Sequence, residues 1–510
     1  MDKNFQQTVL EALREHSTPQ RPVYLVGGAV RDMMLERDVH DLDFAVPGPT
    51  RALANDVACR LNGALYVLDE ARDTTRVVLD MGNQHHMLLD FASLRAGDLE
   101  GDLRARDFSI NAMALDVAYP DRLIDPTGGF ADLRAKQLRA CGPESLASDP
   151  VRVLRAVRQA LGLQFRIMPG TLAQMRAAAR LLPRVSAERL RDELLRMLEG
   201  SQVHLAIRIL SQVGALKFVL PELEDLKGVT QSAPHTADVW DHTLGVVQAL
   251  EQLYPPLVGT YDEASVPDLT VGSAVLWLGR YRQQMEEHFK HVLVPDRSLR
   301  SLLFFATLYH DIAKPQTRFE TVDGRIRFLE HDHIGKNIAA NRARALALSA
   351  HEIQRIESII EHHMRVLYML NALQNGGLEK PARRTMYRYF KDTGPTGIDI
   401  CLLALADLRG TYGVTLPQDV WESALKVCRG LMEAYWEKSA EVVSPPRLLT
   451  GNDVMKLFHM KPGKEIGRLL GAVQEAQAAG EVNSREEAED YARRWIERRP
   501  EEEAREEGEQ

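Results

Sequence analysis

The chain has no run of 18 consecutive apolar residues, so no helix within it can span a bilayer. Its first residues, Met1-Asp2-Lys3-Asn4-Phe5-Gln6-Gln7, lack the apolar core of a secretion signal. Cysteine is scarce. Cys59, Cys141, Cys401 and Cys428 are scattered through 510 residues without paired metal spacing, which excludes a disulfide scaffold and fits a reducing compartment. A cytoplasmic protein is therefore expected. No repeat of fixed period is present. With 45% hydrophobic and 26% charged residues, the composition argues against a disordered or fibrous chain. At roughly 100–200 residues per domain, the length implies about three or four units.

A net charge of −9 would disfavour a nucleic-acid partner, but the average hides a local excess. Residues 131–200 carry 13 Lys/Arg against 7 Asp/Glu. Such a block suits either a phosphate-binding groove or a solvated helical face, and charge alone does not separate the two. The stretch 497–510 holds 7 Glu against 3 Arg and reads as a solvated, partly disordered end.

The first 140 residues mix short β-like runs with helical ones. Val23-Tyr24-Leu25-Val26 reads as a buried strand that ends at Gly27-Gly28 and feeds a helix from Ala29. Leu42 to Val46 and His86 to Phe91 read as further strands. From about 144 to 225 the pattern is helical, with Val151, Leu154, Val157 and Leu161 on one face. A histidine-rich helical region covers about 230–435, and Ser444-Pro445-Pro446 marks a linker.

Gly27-Gly28 lies where a strand meets a helix. Glycine lets the backbone approach a phosphate and the helix N-terminus offers free N–H groups, with Arg31 adding a charge. A Gly-Gly pair is also an ordinary turn. In His40-Asp41-Leu42-Asp43-Phe44, residues two apart on a strand share a face, so Asp41 and Asp43 project together. Like charges side by side repel unless a cation sits between them, and Mg²⁺ takes carboxylate oxygens and substrate phosphates. Asp90, in Met87-Leu88-Leu89-Asp90-Phe91, reads equally as a third carboxylate or as a strand-end residue.

Three ordered motifs now stand out: Tyr24 to Asp32; Asp41-Leu42-Asp43; and Arg104-Ala105-Arg106-Asp107-Phe108-Ser109-Ile110-Asn111-Ala112. They are followed by Asp125-Pro126-Thr127-Gly128-Gly129, by Ser148 to Arg158 and by Ser186 to Glu193. The set resembles the bacterial-type (class II) tRNA nucleotidyltransferases and their poly(A) polymerase relatives, within the polymerase-β-like superfamily. The resemblance implies an α+β head with a polymerase-β-like nucleotidyltransferase fold, followed by mainly all-α neck, HD and tail domains. It also implies that Asp41 and Asp43, with Asp90 as the third candidate, are catalytic and carry two metal ions about 3.5–4 Å apart. Gly27, Gly28, Arg31, Arg106 and Asn111 would bind the nucleotide, and Asp107 would read the ribose 2′-hydroxyl. Asp149 and Arg152 would face the Watson–Crick edge of the incoming base, with Arg155 and Arg158 along the same helix side. A carboxylate accepts from an exocyclic amine and a guanidinium donates to ring nitrogen and carbonyl, which suits cytosine and adenine.

Two departures from the family pattern stand out. Ser148-Asp149 replaces the usual Glu-Asp. Only 15 residues, 92–106, separate Phe91 from Asp107, where CCA-adding members typically carry a longer flexible loop. Members that add only the two cytidines lack that loop, so the short connector hints at CC-only addition.

The middle region holds Asp241-His242, then His310-Asp311-Ile312-Ala313-Lys314, His331-Asp332-His333, His362-His363 and Ala406-Asp407. This order resembles an HD-type metal domain. By that resemblance His242, His310, Asp311 and Asp407 would hold one divalent metal of unspecified identity. His331 with His362 or His363 would hold a second metal or a substrate phosphate. The 67 residues between His242 and His310 exceed the usual gap, and Tyr254 to Arg300 reads as an insertion. In the tail, Lys464 near a helix start and Gly467 would grip tRNA phosphates.

The expected organisation is a nucleotidyltransferase head over 1–140, a neck with the base-reading helix over 141–228 and an HD domain over 229–440. A tRNA-binding tail over 441–496 and the acidic end over 497–510 complete it. The expected activity is transfer of CMP, with AMP as a further candidate, from CTP and ATP to the tRNA 3′ end with Mg²⁺. Alternatives are a poly(A) polymerase, an HD phosphohydrolase acting on RNA 3′-phosphate or 2′,3′-cyclic phosphate ends, and a non-catalytic RNA scaffold. No membrane partner is expected, and the sequence leaves the oligomeric state open.

Overall fold

The structure is a computed structural model that describes all residues except 1–2, 40, 81–85, 96, 260–267, 377–379 and 507–510. Contacts divide the chain into two units, Met1–Gly200 with Leu205–Val219, and Ser201–His204 with Leu220–Gln510.

The first unit is built on a seven-stranded mixed sheet. Its strands are β1 (Tyr24–Val26), β2 (Asp41–Val46), β3 (Ala64–Asp69), β4 (Thr74–Asp80), β5 (His86–Ser93), β6 (Ala114–Asp116) and β7 (Leu123–Ile124). Their order is β3-β4-β5-β2-β1-β6-β7. β2 runs parallel to β5 and antiparallel to β1. The three strands expected from the sequence form the centre; the other four were not anticipated. β4 carries a legible alternation, Thr75, Val77 and Leu79 inward, but β3 is an edge with Tyr66, Val67 and Leu68 exposed. An edge strand has no burial to imprint on its sequence.

The two-residue period of β2 sorts its side chains as expected. Leu42 and Phe44 are each 1% exposed, and Phe44 stacks on Phe91 with ring centroids 5.1 Å apart. Burying a side chain of this size stabilises by about 1.5–3 kcal/mol, so the strand is firmly seated and Asp41 and Asp43 project from its other face.

The helix Arg152–Leu163 presents Val153, Leu154, Ala156, Val157 and Ala160 to the core and ends at Gln164 in the left-handed region. Leu161 is half-buried rather than part of this face. Ala160 takes the inward position, one 100° step earlier on the helix. The helix Ala187–Leu198 packs beside it.

In the second unit the helix Val239–Val258 crosses Thr396–Tyr412 at Gly245 and Gly410. A Cβ on Gly410 would lie 2.5 Å from Val246 Cγ2 and 2.9 Å from the Val246 amide nitrogen. Helices Leu299–Tyr309, His331–Ala345 and Ala350–His362 complete the core. The expected insertion folds into helices Leu269–Leu278 and Arg282–Lys290 and a hairpin of Val292–Val294 with Arg297–Ser298; its residues 260–267 lie outside the described ones. Trp421 Nε1 donates to Ser273 Oγ at 2.8 Å and ties this segment to the helix Gln418–Trp436. After the irregular stretch through Ser444-Pro445-Pro446, the tail forms helices Gly451–Phe458, Lys464–Ala479 and Arg485–Glu506 around Leu449, Val454, Leu469 and Val473. The last helix runs into the acidic end as far as Glu506; residues 507–510 lie outside the described ones. The helix begins with an i,i+4 pair, Arg485–Glu489, of the kind that supports solvated helices.

Candidate active site and metal centre

β1, β2 and β5 bring the first set of predicted residues together. Register pairs Val26 with Asp43 and Asp43 with Asp90. Gly27 follows β1 with φ +78, and a Cβ there would meet Asp43 Oδ2 and Arg106 Nη1 at 3.1 Å each. Only glycine suits both the backbone and the space. Burial first, then the neighbouring Asp90 charge, pushes the Asp43 carboxyl up to about 6, against the pull of Arg106. Both oxygens of Asp90 accept from Arg76, at 2.7 and 2.8 Å, across the β4–β5 pair. Asp90 therefore stands beside Asp43 with its own charge matched. Among the described residues Asp41, Asp43 and Asp90 do not gather as three donor oxygens within 4.8 Å of one another; the Asp43 carboxyl, crowded enough to resist ionisation, is the donor that suits a hard divalent cation.

Beside these carboxylates lies a cavity of about 480 Å³ lined by seven arginines and five carboxylates. Of the predicted residues, Gly27, Gly28, Arg31, Asp43, Asp90, Arg106, Asp107, Asn111, Arg152, Arg155 and Arg158 line it; Asp41 and Asp149 do not. Arg31 Nη1 donates to Asn111 Oδ1 at 2.7 Å, and Asn111 Nδ2 donates to Asp107 Oδ1 and Gln159 Oε1, both at 3.0 Å. Arg155 and Arg158 are forked onto one buried carboxylate, Glu193, through their Nε atoms at 2.8 and 2.9 Å. Glu193 is 3% exposed. Burial alone would raise its pKa, but Arg158 and Arg155 overcome that and hold it below the ordinary value. Arg189 donates to Asp149 Oδ2 at 2.7 Å, whereas Asp149 Oδ1 and Arg152 Nε are buried without a hydrogen-bond partner. A desolvated acceptor and donor left unmade are costly unless a ligand completes them.

The described residues of the 92–106 connector fold against the head. Asp98 caps the helix Leu99–Arg104, Leu94 N donates to Val46 O at 3.0 Å, and Arg95 lines the cavity.

The second unit gathers the histidines. His242, His310 and Asp407 form one set of donor atoms within 4.8 Å of one another; Asp311, His331 and His363 form another. The helix crossing at Gly245 and Gly410 explains the first set, because His242 and Asp407 each lie one turn from the contact, with His242 Nε2 3.2 Å from Asp407 Oδ1. The Nδ1 atoms of His310, His331 and His363 lie 2.6–2.8 Å from the carbonyls of Thr307, Phe328 and Ile360. A proton on Nδ1 donated to each carbonyl leaves Nε2 as the free lone pair. The Nε2 atoms of His242 and His310 are buried and make no hydrogen bond. Burial, then the neighbouring His331, pushes His363 down to about 4, so it is neutral. This nitrogen-and-carboxylate donor set fits a divalent transition metal. His362 joins neither set: it is half-buried while its neighbour His363 faces inward, as a 100° step requires. Of the two histidines left open by the sequence, His363 is the one at the centre.

The poly A polymerase head domain matches residues 23–139, the probable RNA and SrmB-binding site of polymerase A matches 164–227, and the HD domain matches 276–407. An A-adding tRNA nucleotidyltransferase of Deinococcus radiodurans is 33% identical over 482 residues, covering 93% of this chain and 96% of the relative. A CC-adding tRNA nucleotidyltransferase of Thermus thermophilus is 31% identical, covering 93% and 94%. The chain belongs to the tRNA nucleotidyltransferase family. Among solved structures, a CCA-adding enzyme complexed with ATP shares the fold with TM-score 0.62 at 21% identity, covering 97% of this chain and 96% of that one. No described helix of the nucleotidyltransferase is long and apolar enough to cross a membrane.

Several site residues escaped the sequence reading. Arg76 was legible only through the β4–β5 register. Glu193 lay inside a quoted motif, yet its bond to two arginines 35 and 38 residues upstream is tertiary. In the HD centre, Lys314 Nζ lies 2.6 Å from Asp311 Oδ2 and donates to Gln231 Oε1 at 2.7 Å; its place one turn after His310-Asp311 was the available signal. In the tail, Gly467 lines a cavity, whereas Lys464 is exposed at the first position of its helix.

Proposed function

We propose that this nucleotidyltransferase adds CMP to the tRNA 3′ end and stops after two cytidines. The observation that carries the reading is the Asp149–Arg152 pair, whose buried Oδ1 and Nε lack partners. An acceptor beside a donor matches the exocyclic amine and ring nitrogen that cytosine and adenine share, so the pair supports reading of the base and the connector supports the stop after two cytidines. Arg155 and Arg158, held by Glu193, set the side of the cavity along which the base lies. Arg31, Arg106 and Asn111 bind the triphosphate, and Asp107 takes the ribose hydroxyl. Asp41 and Asp43 would hold Mg²⁺, which when bound supplies the Lewis acidity that activates the 3′-hydroxyl and stabilises departing diphosphate. Asp90, matched by Arg76, acts on Asp43 through its field. Stopping after two cytidines is supported by the short connector, tied to β2 by the Leu94 N to Val46 O bond, which leaves no long loop to reshape the pocket for adenine.

A tRNA extension assay tests this, using transcripts ending before the terminus, after CC, and complete, with CTP and ATP supplied separately. Two cytidines added to the first, and nothing added to the second, is the expected pattern. Adenosine on the CC-ending transcript would instead favour A addition, the reading suggested by the 33% identical relative from Deinococcus radiodurans. Failure to use CTP with ready use of ATP on any RNA end would point to poly(A) synthesis.

The HD centre supports a second activity, hydrolysis of phosphoesters at RNA 3′ ends. His242, His310 and Asp407 would hold one metal and Asp311, His331 and His363 a second, with Asp311 Oδ2 also 3.2–3.3 Å from the Nε2 atoms of His310 and His242 and Lys314 placed to meet a phosphate. Release of inorganic phosphate from an RNA 3′-phosphate, lost in His310→Ala but kept in Asp43→Ala, tests it. The tail residues Lys464 and Gly467 would contact the tRNA backbone.

A further inference from the structure

Gln159 lies one residue beyond the Ser148 to Arg158 motif and lines the cavity of the first unit. It stands one turn after Arg155 on the helix Arg152–Leu163, and its partner lies 48 residues upstream, at the end of the short turn Ser109–Asn111. The Asn111 amide nitrogen carries two hydrogens. One goes to Asp107 Oδ1 and the other to Gln159 Oε1, both at 3.0 Å. The amide oxygen accepts from Arg31 Nη1 at 2.7 Å. A guanidinium donates and a carboxylate accepts, so these partners hold the amide in one of its two orientations. Asn111 and Asp107 are both buried, where an amide hydrogen left without an acceptor is costly. Asp107 Oδ1 also accepts from the Phe108 amide at 2.8 Å, and Oδ2 accepts from Arg155 Nη1 at 3.3 Å. A carboxylate oxygen takes about two donors, so Oδ1 is filled and Oδ2 keeps one direction open.

We propose that Gln159 is a positioning residue for sugar selection: by taking the second Asn111 amide hydrogen it keeps the first on Asp107 Oδ1, and so keeps the open Oδ2 direction for the 2′-hydroxyl of the incoming nucleotide. The inference rests on the reading of Asp107 as the ribose contact and adds the residue that acts on it through Asn111. Without the Gln159 acceptor the amide turns to find another partner, and the Asp107 carboxylate turns with it. CTP then loses a contact, whereas 2′-deoxy-CTP has no such contact to lose. The defect is specific to the sugar, unlike a general weakening of the cavity.

First-nucleotide addition to a tRNA transcript lacking its terminus is measured with CTP and with dCTP, for the full native chain and for Gln159→Leu, Gln159→Glu and Asp107→Ala. Leucine is close to glutamine in size and has no acceptor. Glutamate keeps the acceptor, and both nucleotides feel its added charge alike. Gln159→Leu should lower kcat/KM for CTP by about tenfold, the scale of one hydrogen bond, and leave kcat/KM for dCTP unchanged. Gln159→Glu should keep the native ratio of CTP to dCTP use. Equal losses for both nucleotides in Gln159→Leu, or no loss, overturn the proposal, as does a ratio in Gln159→Glu that falls as far as in Gln159→Leu. Gln159→Met, also without an acceptor, repeats the comparison if the leucine variant fails to melt cooperatively. Asp107→Ala separates the two readings. A ratio unchanged there removes Asp107 from the ribose and the proposal with it, whereas a collapsed ratio there beside a native ratio in Gln159→Leu overturns the proposal alone.

Discussion

Replacing Glu193 by glutamine keeps the shape of the clamp and removes its charge. In the native structure one buried carboxylate satisfies Arg155 and Arg158 at 2.8 and 2.9 Å. Hydrogen bonds to charged groups contribute about 1.5–3 kcal/mol each. The two guanidinium groups are 31% and 29% exposed, so water recovers part of the loss when one partner becomes neutral. A net destabilisation of about 2 kcal/mol follows, which for a unit of this size lowers Tm by about 4–8 °C. Both arginines line the cavity proposed to take the nucleotide and would lose their fixed side, so a rise in KM for CTP of about tenfold is expected, about 1.4 kcal/mol. Thermal melting followed by CTP kinetics on a tRNA lacking its terminus measures both. A Glu193→Gln enzyme with wild-type Tm and wild-type KM would refute the clamp. A lowered Tm with unchanged KM would leave Glu193 a structural group and detach it from the nucleotide.

Asp41→Ala with Asp43→Ala should abolish CMP addition while leaving Tm unchanged or raised, because burial and the Asp90 charge push the Asp43 carboxyl up to about 6 and its ionised form is held at a cost; residual addition in a gel assay would misplace the metal site. Gly410→Ala should cost about 1–3 kcal/mol by overpacking against the Val246 backbone, and should lower the metal content of the HD centre measured by elemental analysis, with metal content unchanged counting against the helix-crossing argument. Asp399 is fully buried, and although burial raises its pKa, Arg355 and His288 hold it below its ordinary 3.8. Its contribution is therefore complete above the unfolded value and is lost as pH falls through the folded one. Below about pH 4 the wild-type protein should lose stability more steeply than Asp399→Asn, and parallel acid limbs in Tm against pH would argue against that pair.

What the sequence made legible was whatever a local period could decide. Asp41 and Asp43 share a face because a strand repeats every two residues, and their apolar neighbours Leu42 and Phe44 face the other way. The strand-to-helix turn at Gly27 was legible for the same reason. The helix Arg152–Leu163 was recovered with one error, Leu161, because alanine at position 160 packs inward as well as a larger residue and carries no strong apolar signal. What was not legible depends on register and on contacts between distant segments. No local pattern says that Arg76 stands opposite Asp90 or that Glu193 reaches two arginines on another helix. His362 and His363 are adjacent in sequence, and only the rotation of their helix end relative to His331 separates them.

The same contrast separates the two centres physically. The head sets its carboxylates by register between hydrogen-bonded strands, so Asp43 and Asp90 are paired by the backbone itself and small side-chain changes nearby should leave the pairing intact. The HD centre draws its donors from separate helices, and their convergence depends on how closely those helices approach at Gly245 and Gly410. Side chains fill the space between helices, so one added methyl at the crossing shifts the axes that carry His242 and Asp407. Addition chemistry should therefore tolerate core substitutions around the sheet that metal retention in the HD centre does not tolerate around its helix crossing.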